Sequence, residues 1–92
     1  MSKRKEQINP VFNDFMFISP KQVMLSAYMK NYRCRHNFSQ TEMANVCSLY
    51  GKPHGVSFDV VEINCYENYK TIPTPRKFQV LMNTMDIDPS ML

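Results

Sequence analysis

Three helix starts are written into this chain of 92 residues, and they constrain its fold more than any other feature. Ser19-Pro20-Lys21-Gln22 sets a hydroxyl before a proline, with a glutamine three residues after the serine. The hydroxyl accepts from an orphan amide of the first turn, and the glutamine reaches back to the serine amide. Proline supplies a preset φ where no N–H is needed. Ser39-Gln40-Thr41-Glu42 is a second capping box, and Thr74-Pro75 is a second cap followed by proline.

An apolar stripe at helical spacing follows each start. Leu25, Tyr28, Met29 and Tyr32 recur at i, i+3, i+4 and i+7, which predicts a helix over about 20–36. Lys30, Arg33 and Arg35 place positive charge in its second half, where the dipole favours it, and Asn37 accepts a left-handed stop. Met43, Val46, Cys47 and Tyr50 form the second stripe, with Gly51 expected to end it and Lys52-Pro53-His54-Gly55 to form a loop. Ser57 or Asp59 caps a third helix whose inward face is Val60, Ile63, Tyr66 and Glu67. Pro73 and Pro75 separate it from a fourth, with Phe78, Leu81, Met82 and Met85 inward and Asp88-Pro89 at its end.

The expected fold is therefore all-α: a compact four- to five-helix bundle. Residues 1–18 form an N-terminal arm and apolar extension, and residues 19–92 form the helical domain. Within the extension, Val11, Phe15 and Ile18 fit helical spacing, but alternation fits as well. Helices two and three lie close in sequence across a glycine-bearing turn. In that arrangement one helix crosses a phosphate backbone while the next enters the major groove.

The net charge of +3 agrees with a polyanionic partner without requiring one. Three cysteines without paired spacing argue against a disulfide framework and for a reducing, intracellular setting. No apolar run approaches the ~20 residues of a membrane span. Lys3-Arg4-Lys5 is not followed directly by the apolar stretch of a secretory signal. Cys34, His36, Cys47, His54 and Cys65 lack the close pairing of a structural zinc site, so no metal and no cofactor is expected. Nothing activates a nucleophile, and two glycines cannot build a phosphate-cradling loop, so enzyme function is not expected.

Over roughly residues 24–88 the chain resembles the Cro/lambda-repressor (XRE) family of helix-turn-helix proteins. Ser39-Gln40-Thr41-Glu42-Met43-Ala44 is similar to the opening of that family's second helix, and Ile63-Asn64-Cys65-Tyr66-Glu67 to the end of its third. Pro73, Thr74, Phe78, Leu81 and Met85 fall on the family's later steps, and Met85-Asp86-Ile87-Asp88 looks like its closing turn. Arg33 before Gln40, and Leu49-Tyr50-Gly51-Lys52, resemble the POU-specific domain, which shares the fold. Between Ala44 and Ile63 this chain is longer than either pattern. The start of its third helix, Val60-Val61-Glu62, replaces the amide-rich start of the POU-specific domain.

The resemblance implies sequence-specific binding of double-stranded DNA by a transcriptional regulator. Gln40 would touch a backbone phosphate, and Arg33 would pair with Glu67 across the core. Ser39 and Thr41 flank Gln40. Ser57, Phe58, Asp59, Val61, Glu62, Asn64 and Cys65 are the outward candidates of helix three. Of these, Asn64 can read adenine and Val61 can touch a thymine methyl. Lys52 and His54 before that helix, and Lys70, Arg76 and Lys77 after it, would grip phosphates on either side. Lys3-Arg4-Lys5 forms either a minor-groove arm or a solvated tail. Phe12, Phe15, Phe17 and Ile18 form either an added core element or a homodimer contact. The competing reading keeps the fold but turns helix three, with Asp59, Val60, Val61 and Glu62, toward a protein partner.

Overall fold

A computed structural model describes residues 18–91. The order is α1 (Pro20–His36), α2 (Gln40–Gly51), a 3-10 turn (Lys52–His54), α3 (Val60–Glu67), α4 (Pro75–Met85) and a closing 3-10 turn (Pro89–Met91). It is a small all-α bundle, with no strand among the described residues. No helix described is long and apolar enough to cross a membrane. The basic segment Lys3-Arg4-Lys5 and the phenylalanines Phe12, Phe15 and Phe17 lie outside the described residues; Ile18 is half-buried.

The caps form as the sequence requires. The Ser19 and Ser39 hydroxyls accept from the amides of Gln22 and Glu42, whose side chains accept from the serine amides in return. Thr74 Oγ1 accepts from Lys77 N. Asp59, not Ser57, caps α3: its Oδ1 accepts from Glu62 N at 2.8 Å, and Glu62 Oε1 accepts from Asp59 N. Asn37 and Asp86 adopt left-handed backbone and close α1 and α4, so α4 ends before Asp88-Pro89.

The stripes converge on one core. Leu25 and Met29 of α1, Met43, Ala44 and Cys47 of α2, Ile63 and Tyr66 of α3, and Val80, Leu81, Met82 and Met85 of α4 are buried together. Burying a side chain the size of Ile63 or Leu81 stabilises by about 1.5–3 kcal/mol. Two stripe residues depart from expectation. Tyr50 is half exposed, and Ala44 is buried beside Met43 and Cys47. Val60 is also exposed; Phe58, just before the α3 cap, is buried in its stead.

Gly51 does not stop α2 through left-handed backbone. Its φ is −81°, and the left-handed residue is Gly55 at +72°. Gly51 is buried where the chain doubles back, and a Cβ there would stand 2.5 Å from Val56 O and 2.7 Å from Val56 Cγ2. Gly51→Ala is therefore expected to lose about 1–3 kcal/mol in urea denaturation, as overpacking of a tight core does. An unchanged midpoint would show that the 52–59 connection yields freely.

Burial also acts on titrating groups. It pushes the Cys47 thiol from 9.0 up to about 12, with a hydrogen bond to Thr84 opposing it. Burial likewise raises Tyr66 above its usual 10.0, helped by the nearby Glu62 carboxylate. The unfolded thiol gives up its proton near pH 9, and the folded one does not until about pH 12. Stability is thus full below pH 9 and falls between these values by about 1.4 kcal/mol per pH unit, with Tyr66 adding to the loss above pH 10. Urea melts at pH 8 and 10.5 should differ by about 2 kcal/mol through Cys47 alone. A Cys47→Ala variant should lose most of that difference, and equal wild-type midpoints would contradict the assignment.

Candidate nucleic-acid interface

The bundle is tied together on one side by a polar chain that runs from α1 to α3. Arg33 donates to Glu67 through Nε (2.7 Å to Oε2) and Nη2 (2.9 Å to Oε1), a bidentate pair. Its Nη1 donates to the carbonyl of Phe38 in the α1–α2 turn. The Glu67 side chain is 1% exposed. Its backbone carbonyl accepts from Ser26 Oγ at 2.6 Å. The hydrogen bond to Glu67 raises Arg33 above its ordinary value, so the guanidinium remains charged. Gln40, first residue of α2, donates from Nε2 to Glu67 Oε1 at 3.1 Å and accepts at Oε1 from Asn64 Nδ2 at 3.3 Å. A buried ion pair, a helix start and an exposed amide on α3 thus form one hydrogen-bonded series.

Ile63, Tyr66 and Glu67 turn inward, while Val60, Val61, Asn64 and Asn68 are exposed and Cys65 is half-buried. Val61, 65% exposed, lies near the centre of the outward face. That face carries no charge. Asp59 is engaged as the cap. Glu62 is drawn toward α4, where it pairs with Lys77 and accepts from Tyr66 Oη. Lys77 in turn lies over the Phe58 ring, 5.1 Å from its centroid.

Several expected site residues take part in structural contacts. Phe58 belongs to the core and does not face outward. Glu62 and Lys77 pair with each other and brace α3 on α4. Ser39 and Asp59 act as caps. Gln40 and Asn64 are brought together, and Arg33 meets Glu67. Thr41 and Ser57 are exposed, as are Lys52 and His54 in the turn after α2, Lys70 after α3, and Arg76 in the first turn of α4. Among the described residues, Lys52, Lys70 and Arg76 sit in no ion pair. Sequence reading left out Asn68, which extends the amide row on α3 and donates to Asn64 O at 2.9 Å. Its place one helical turn after Asn64 was the available signal.

Exposed apolar side chains occur as well. Leu49 is 70% exposed at the end of α2 and Ile72 is 67% exposed before α4, beside a small pocket of about 110 Å³ lined by Leu25, Pro73 and Phe78. No family model, curated protein or solved structure matches this chain.

Proposed function

We propose that the chain is a helix-turn-helix protein of the Cro/lambda-repressor type that binds double-stranded DNA and regulates transcription. The observation that carries this reading is the exposed, uncharged outer face of α3, held against the start of α2 by the Gln40–Asn64 hydrogen bond. A groove-reading helix needs such a face, with side chains that hydrogen-bond or touch base edges. Glu62, the residue of α3 that would have repelled phosphates, is neutralised by Lys77. Lys52 and His54 precede the helix, and Lys70 and Arg76 follow it, as positioning contacts to the backbone would require.

The test is a fluorescence anisotropy titration on mixed-sequence duplexes across a salt series. Binding should weaken steeply with salt. Replacing Lys52, Lys70 and Arg76 together by alanine should reduce the slope of log K against log salt by about 2–3, roughly 0.9 per lost phosphate contact. A flat titration at low salt rejects the reading, and an unchanged slope in the triple variant removes those three residues from the interface.

Exposed Leu49, Tyr50, Val60 and Val61 favour a second reading, in which the same helices carry a protein partner or a second copy of the chain. Apolar side chains exposed on neighbouring elements are a feature of protein contacts. On that reading, sedimentation or partner capture responds to Val61 substitutions while duplex binding is absent.

A further inference from the structure

We propose that the cleft between the start of α1 and the segment leading into α4 is a docking site for the chain's own residues 11–17, with Phe15 filling it and Asp14 paired with Lys21 at its rim. This does not depend on the DNA-binding reading. The cleft holds about 110 Å³, with Ser19, Lys21 and Leu25 on one wall and Ile72, Pro73 and Phe78 on the other. Leu25 and Pro73 are buried and Phe78 is half-buried, so the floor is apolar. Ile72 stands 67% exposed beside it. An apolar cavity of roughly 150 Å³ takes up one benzene ring, so this cleft is sized for a single aromatic side chain. Its rim is cationic. Lys21 lies over the Phe78 ring, 5.9 Å from its centroid, and sits in no ion pair among the described residues. Neither α1 nor α4 carries an acidic residue in its first turn. The occupant that fits is an aromatic ring with a carboxylate beside it.

The chain carries that pair of groups next to the cleft. Residues 1–17 join the bundle at Ile18, itself half-buried, and the following residue, Ser19, lines the cleft. Phe15 is three residues before Ile18, a span of about 10 Å even for fully extended chain. Asp14 immediately precedes Phe15 and is the one carboxylate among residues 7–17; Phe12 and Phe17 have no acidic neighbour. A segment tethered this closely has an effective concentration of about millimolar, which favours it over a second copy or a separate partner. Docking withdraws Ile72 and Phe15 from water together, and an apolar run such as Phe12, Phe15, Met16 and Phe17 left in solvent would be sticky.

The experiment is amide hydrogen exchange followed by NMR on the full chain and on its Ile72→Asp and Asp14→Asn variants. Ile72 is exposed in the bundle, so replacing it should leave the exchange of core amides such as those of Met29 and Leu81 unchanged. In wild type the amides of residues 12–17 should exchange at least about tenfold more slowly than in an unfolded peptide of the same sequence. Ile72→Asp should remove that protection, the effect of withdrawing one large apolar side chain from a contact. Asp14→Asn should speed exchange about two- to fivefold, as loss of an exposed ion pair does. Should Ile72→Asp disturb the core, Phe15→Ser decides instead: the Ile72 methyl resonances must move to the positions of a solvent-exposed isoleucine. Exchange of residues 12–17 at the unfolded rate in wild type, protection that survives Ile72→Asp, or Ile72 methyls unmoved in Phe15→Ser overturns the inference. Protection that disappears on dilution overturns it in favour of a second copy, and an unchanged rate in Asp14→Asn overturns the pairing with Lys21.

Discussion

Replacing Arg33 by methionine should destabilise the domain by about 3–5 kcal/mol, the usual consequence of removing one partner from a buried ion pair. The Glu67 side chain is 1% exposed and would keep only the Gln40 amide as a donor. Water cannot reach it to compensate, and the buried carboxylate is left without its charge partner. Domains of this kind have about 5–15 kcal/mol of stability in all, so much of it would be lost. Arg33→Lys should recover only part, since an ammonium cannot supply two parallel donors to one carboxylate. The double variant Arg33→Met, Glu67→Leu should recover most of it, because an apolar pair of similar volume leaves no buried charge unpaired. Urea denaturation of the three variants checks this. A loss below about 1 kcal/mol in Arg33→Met would mean that Glu67 is solvated in a way its burial does not allow.

Val61→Glu is expected to weaken duplex binding by at least about 100-fold while leaving stability within about 0.5 kcal/mol of wild type. Val61 is among the most exposed positions of α3, so the fold asks nothing of it. Glutamate there would bring a carboxylate to the centre of a surface facing a polyanion, and like-charge juxtaposition at an interface costs several kcal/mol. Unlike Glu62, it would have no Lys77 to neutralise it. Val61→Ala serves as the control: it removes two methyl-sized groups and should weaken binding by roughly tenfold or less. Anisotropy titrations with thermal melts of the same samples separate affinity from folding. Equal binding by Val61→Glu and wild type would move the contact surface away from α3. Loss of a protein partner, with no duplex binding in either protein, would favour the second reading.

Helix starts were legible because a cap is a contact between residues three apart, such as Ser39 with Glu42 or Thr74 with Lys77. The core stripes were legible wherever burial follows helical period, as for Met29, Met43, Ile63 and Leu81. The candidate site was less so. Lys77 reads as a surface lysine and Glu62 as a repulsive carboxylate until α4 is laid against α3, fifteen residues apart in sequence. Phe58 reads as exposed because it precedes a cap. It is buried because the 52–59 connection folds back on α2, where Ser48 Oγ bonds both the amide and the carbonyl of Phe58. Gly51 reads as a helix stop by residue type, yet its smallness serves the close approach of Val56.

By itself the sequence determined that this chain forms helices, where they begin, and which side of most of them turns inward. Capping hydroxyls, prolines and apolar spacing act within a turn or two of backbone. Only the tertiary structure decided which charges are consumed and which amides are aimed: Arg33 is joined to Glu67 across 34 residues, and Gln40 to Asn64 across 24. Those pairings depend on distances between helices, set by packing of the whole core rather than by any local preference of the chain.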